Sequence, residues 1–96
     1  MTDEELLERV KTGLSIDGND MDGSLLIKIA AVRGFMINAG VSESRIETDL
    51  GIASLTVGVS DLWELASGEV KFSSIFTMHL VPQLVYASTK DGGKVS

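Results

Sequence analysis

The chain has 96 residues, no cysteine and a formal net charge of −6. Together these describe one small acidic domain, near the lower end of the size at which a single apolar core folds, without disulfides or thiolate metal sites to staple it. Only eight Lys and Arg are present, which argues against binding nucleic acid through phosphates that each need a cation.

The opening MTDEELLERVK is acidic and amphipathic where a signal peptide needs a basic start, and no apolar run reaches the length of a membrane span. A soluble, unanchored protein that is not exported is expected. Thr2 to Glu5 reads T-x-x-E, a capping box in which hydroxyl and carboxylate each satisfy the other residue's amide. It predicts a first helix from about Asp3 to Thr12, with Leu6, Leu7 and Val10 as its apolar face and Gly13 ending it. Leu14 and Ile16 then tuck a connector under the helices.

Asp17 to Gly23 is an acidic, glycine-bearing loop that invites a metal. An EF-hand loop needs an acid at its first position and a bidentate Glu six residues after its glycine. With Gly23 at the glycine position, Gly18 stands where the first acid belongs and Ile29 where the Glu belongs. The pattern fails at both ends, so a turn is expected, with Asn19 or Asp20 capping the next helix. Residues 1–24 hold seven acids against Arg9 and Lys11, and this quarter of the chain makes the acidic surface.

The second helix is expected from about Asp20 to Ala39. Leu25, Ile29, Val32, Met36 and Ala39 form one stripe, Leu26, Ala30 and Ile37 a second, and Ala31, Gly34 and Asn38 a small third side. A helix this apolar around its circumference is either central in its own domain or packs on another subunit. Leu26, Ala30, Ala31, Gly34 and Ile37 are therefore the suspected subunit interface. Ala39-Gly40-Val41 has the form of a Schellman ending. Ser42 starts a short third helix, about Glu43 to Thr48.

The central element is expected over Ile52 to Gly68. Ile52, Leu55, Val59, Leu62, Trp63 and Ala66 share one stripe, so Ile52, Leu55, Val59, Leu62 and Trp63 are the core anchor on which the rest packs, with Gly68 as terminator. Gly51 and Gly58 lie beside that stripe, and close helix approach would explain them. After a loop, Ser73 is placed to cap a last helix through about Leu80. The same segment also fits an edge strand, because Val70, Phe72, Phe76, Met78 and Leu80 share one parity; the cap and the lack of a strand partner favour the helix. Pro82 is expected to interrupt it, and residues 87–96 are expected to be a disordered tail after a single domain over 1–86.

No chemistry stands out. His79, the single histidine, has no cysteine and no G-x-S-x-G serine to serve, and the glycines form no phosphate-cradling pattern. No catalytic residue, cofactor or metal is expected, and the fold class expected is all-α, a bundle of about four to five helices.

Leu6-Leu7, Val10-Lys11, Leu14 and Ile16, then Ala39-Gly40-Val41, then Gly58-Val59 with Asp61-Leu62-Trp63, then Gly68, Lys71, Ser73 and Phe76 follow one another in an order and spacing that resembles the phage head-tail connector proteins of the gp6-like type. Members of that family show an "LLxxVKxxLxI" opening, an "AGV" helix end, a "GVxDLW" segment and a "G-x-x-KxSxxF" segment. The resemblance covers most of residues 2–84. It implies an all-helical virion protein of a tailed phage or prophage, made in the bacterial cytoplasm and assembled as a ring, dodecameric in the family, between portal protein and tail-side connectors. DNA would pass through without being held, and no membrane is involved. The loop residues Ser67, Gly68, Glu69, Val70 and Lys71, where family motifs concentrate, are then the suspected partner-facing rim. The competing expectation is a small helical interaction module or regulator acting as a dimer.

Overall fold

The Thr2 hydroxyl accepts from the Glu5 amide at 3.1 Å, and the Glu5 carboxylate accepts from the Thr2 amide at 2.7 Å. From this closed capping box α1 runs Asp3–Leu14, followed by α2 (Asp22–Ala39), α3 (Glu43–Ile46) and α4 (Asp49–Trp63). A π-helical stretch, Ile75–Leu80, leads directly into α5 (Val81–Gly92). The structure is a computed structural model and describes residues 1–63 and 72–92. It is an all-α bundle, and no strand occurs among the described residues.

α4 is the hub, packing on α1, α2, α3, the π-helical stretch and α5. Its Ile52, Leu55 and Val59 are buried among Leu6, Leu7 and Val10 of α1 and Leu25, Ile29, Val32 and Met36 of α2, with Val41, Ile46, Phe76, Val81 and Leu84 completing the core. Leu62 is half-buried against this cluster. The side chain of Trp63 and the expected terminator Gly68 lie outside the described residues.

α4 starts at Asp49 and not at Ile52, because Thr48 caps it. The Thr48 hydroxyl accepts from the Gly51 amide at 3.1 Å and donates to the Arg45 carbonyl at 2.6 Å, binding the end of α3 to the start of α4.

Two helix ends depart from expectation for reasons of tertiary contact. Gly13 does not end α1; it lies inside the helix, where a β-carbon would come within 3.0 Å of the Thr56 methyl on α4. The turn falls instead on Ser15, in the left-handed region at φ 59°, with the Ile16 amide reaching the Lys11 carbonyl at 2.9 Å. A non-glycine residue there carries strain of about 1–2 kcal/mol. Ser15→Gly is therefore expected to stabilise the fold by about 0.5–1 kcal/mol, after the extra chain entropy of glycine is offset; a raised urea midpoint checks it. At the end of α2, Gly40 takes φ 111° and the Val41 amide bonds the Met36 carbonyl at 3.0 Å, the Schellman arrangement read from Ala39-Gly40-Val41.

The last helix starts at a cap gripped from α4. Asp61 accepts from the Ser73 amide at 2.9 Å and from its hydroxyl at 2.8 Å, and the Ser73 Oγ faces the Phe76 amide at 3.4 Å. Pro82 does not stop the helix. The Val81 amide reaches back five residues to the Phe76 carbonyl, and this widened π turn accommodates a proline whose ring would crowd the carbonyl four residues earlier in a regular α-helix.

Nor is the chain disordered from residue 87: α5 continues to Gly92, and residues 93–96 alone of that segment lie outside the described residues. Its continuation is held by the buried Ser88, whose hydroxyl donates to the Leu84 carbonyl at 2.7 Å and accepts from the Ser42 amide at 2.9 Å. Ser88→Ala strands that amide and is expected to cost about 1 kcal/mol in denaturant melts. An unchanged midpoint would show that water replaces the hydroxyl.

Candidate interaction surface

α2 buries one stripe only. Leu25, Ile29, Val32 and Met36 recur at spacings of 4, 3 and 4 and face the core, while Leu26, Ile27, Ala30, Ala31 and Ile37 are exposed. Ile27 is 73 % exposed. Of the five suspected interface residues, Leu26, Ala30, Ala31 and Ile37 thus lie on the solvent side, and Gly34 is half-buried with nothing within 4 Å of the place its β-carbon would occupy. A glycine inside a helix costs up to about 1 kcal/mol against alanine, and no neighbour in the described chain requires this one. Ser67, Gly68, Glu69, Val70 and Lys71, the suspected rim, lie outside the described residues.

Leu26 and Ala30 also line a groove of about 270 Å³ between α2 and the start of α1, together with Asp3, Glu4, Ile29 and Arg33. Its acids stand exposed, whereas the Arg33 guanidinium is engaged by Glu43 at 2.7 Å. The groove therefore has an apolar floor and a negative rim.

The acidic loop before α2 is organised by a cation that the protein supplies itself. Lys11 is only 5 % exposed. Its Nζ donates to the Gly18 carbonyl, to Asn19 Oδ1 at 3.4 Å and to Asp22 Oδ1 at 2.8 Å. The hydrogen bond to Asp22 holds the Lys11 ammonium above its ordinary pKa. Neither Asn19 nor Asp20 caps α2, which begins after Met21 without a side-chain cap; Asn19 turns to the ammonium instead, and Asp22 sits in the first turn, where a carboxylate suits the helix dipole. Three oxygens of the loop that suggested a metal thus face Nζ. Among the described residues no group of three or more His, Asp or Glu is placed to hold a metal ion. Glu5 is held below the usual carboxylate range by the Thr2 amide, while Asp3, Glu4, Glu8, Asp17 and Asp20 remain exposed.

A second apolar surface was not anticipated. Ile75, Met78 and Tyr86 are 56, 68 and 64 % exposed, and Pro82 is exposed beside them. They occupy the side of the last helix opposite the buried Phe76, Val81, Leu84 and Ser88. Lys90 lies over the Tyr86 ring at 5.1 Å. This stripe is legible in the sequence once Pro82 is allowed to sit inside a helix.

His79 is exposed. Among the described residues no helix is long and apolar enough to cross a membrane. Comparison with family models, curated proteins and solved structures finds no match to this chain.

Proposed function

We propose that the chain is a non-enzymatic structural subunit of a tailed phage or prophage, forming a ring between portal and tail, resident in the virion and assembled in the bacterial cytoplasm. The observation that carries the reading is α2, which leaves Leu26, Ile27, Ala30, Ala31 and Ile37 exposed after its core stripe is satisfied. Apolar side chains gathered on one face of so small a domain suit a protein neighbour better than water. The half-buried Gly34, unexplained by contacts within the described chain, supports close approach of that neighbour. The exposed acids of α1 and the following loop support a lining that repels phosphates, as a conduit for DNA needs. The motif order shared with gp6-like connectors supplies the specific assembly, portal and tail-side connectors being the partners.

Light scattering across concentration, together with pull-down on portal rings, tests this. The expected result is a large closed oligomer, alone or on the portal, that Ile27→Glu abolishes while the variant keeps the helicity of the wild type, since an exposed position costs the subunit itself little. A protein that stays monomeric at high concentration and does not bind portal would overturn the reading. So would tight, salt-sensitive binding to duplex DNA. An oligomer that stops at two copies would instead support the interaction-module alternative.

A further inference from the structure

We propose that Asp17-Gly18 is a site of spontaneous backbone modification, at which Asp17 converts to isoaspartate through a succinimide, while Asp22-Gly23 at the other side of the same loop is protected. Three Asp-Gly pairs occur, these two and Asp91-Gly92, which closes α5. The reaction joins the amide nitrogen of the glycine to Cγ of the preceding Asp. As that N–Cγ bond forms, the hydroxyl of the protonated carboxyl and the amide proton leave as water. Water then adds back at one of the two ring carbonyls. Opening at the side-chain carbonyl restores aspartate, whereas opening at the main-chain carbonyl leaves the chain running through the β-carboxyl, longer by one methylene. No oxidant or cofactor enters, and the charge of the residue is kept.

Asp17 and Gly18 are both exposed and lie between α1 and α2, outside any helix. Gly18 has φ 80°, with open space where a β-carbon would stand, so neither its own side nor a neighbour crowds the approach of the carboxyl to its amide. Asp22 is held on both counts. Its Oδ1 accepts from the buried Lys11 Nζ at 2.8 Å, and its main chain, with that of Gly23, already belongs to the first turn of α2. Cyclisation there requires that the ammonium contact break and the helix start unwind, a local opening with a free-energy cost of its own. Conversion at residue 17 also disturbs the loop. The Gly18 carbonyl is one of the three oxygens that face Lys11 Nζ, and a methylene inserted just before Gly18 displaces it. A buried ammonium that loses an acceptor leaves the fold less stable.

The experiment incubates the native chain, and the same chain unfolded in concentrated guanidinium, at neutral pH, and locates isoaspartate by electron-transfer fragmentation of the derived peptides. In the native chain residue 17 is expected to convert at least about tenfold faster than residue 22, a ratio that a modest opening cost supplies. In the unfolded chain the two positions are expected to convert at similar rates. Asp17→Glu keeps the charge but cannot close the five-membered ring, and it is expected to abolish conversion at that position alone. The isoaspartate form, separated by chromatography, is expected to have a lower denaturant midpoint than the unmodified chain. Absence of conversion at residue 17 in the native chain overturns the site. Equal native rates at the two positions, or the same preference in the unfolded chain, overturn the protection of Asp22 by the fold. An unchanged midpoint overturns the release of the Gly18 carbonyl from Lys11.

Discussion

Phe76→Ala is expected to remove about 3–5 kcal/mol of stability, a large share of the roughly 5–15 kcal/mol that holds a domain of this kind together. Phe76 has no solvent exposure and stands where α2, α4 and the last helix meet. Its ring centroid lies 4.7 Å from that of Phe72 and 5.8 Å from that of Phe35, which are themselves 4.8 Å apart. α4 is shaped to receive it: a β-carbon at Gly58 would fall 2.9 Å from Phe76 Cε1. Alanine would leave a cavity that the surrounding helices, each fixed by other contacts, cannot close, so the transfer term and the cavity term add. The urea midpoint should fall by at least about 1 M at an ordinary denaturant slope. Phe76→Leu, which keeps most of the volume, should lose much less. A loss below about 1 kcal/mol for the alanine variant would show that the ring is not packed as described.

The parts of the fold that were legible before the structure are those that local chemistry decides. The capping box at Thr2 and Glu5, the Schellman end at Gly40, the cap at Ser73 and the apolar stripe of α4 all follow from neighbours within a few residues. The misread points are those at which a distant partner takes over a residue with a strong local preference. Gly13 looks like a terminator but serves the contact with Thr56. Asn19 looks like a cap but turns to the Lys11 ammonium. Pro82 looks like a stop but is absorbed by a π turn, and Ser88, in a stretch polar enough to look unfolded, holds α5 to the amide of Ser42. The candidate surface was half legible for the same reason. Periodicity shows that α2 is apolar on several sides, but which side faces the core is set by α1 and α4, and the stripe at Ile75, Met78 and Tyr86 stayed hidden as long as Pro82 was taken to end its helix.

Gly51→Ala and Gly58→Ala make the same chemical change in the same helix, and both are expected to destabilise it, Gly51→Ala more. In an α-helix alanine gains about 1 kcal/mol over glycine, so each variant begins with an advantage and the contact decides the sign. At Gly58 the new methyl would meet Val32 Cγ1 at 2.5 Å and the edge of the Phe76 ring at 2.9 Å. Both are fully buried side chains, and clearing a 2.5 Å approach takes more than a rotamer adjustment, so overpacking outweighs the helix gain and the net loss should be about 1–2 kcal/mol. At Gly51 the methyl would collide with the carbonyl oxygens of Arg45 and Ile46, and backbone atoms cannot swing aside. α3 would have to move as a body, which would pull the Arg45 carbonyl from the Thr48 hydroxyl and loosen the cap on the Gly51 amide. Overpacking against backbone lies at or above the top of the usual 1–3 kcal/mol range, so after the helix gain is subtracted the net loss is expected to be about 2–3 kcal/mol. Urea melts of the two variants give the comparison, and amide exchange locates it: faster exchange at Thr48 and Gly51 should accompany Gly51→Ala and not Gly58→Ala. Equal losses for the two, or a gain for Gly51→Ala, would mean that α3 does not lie against the start of α4.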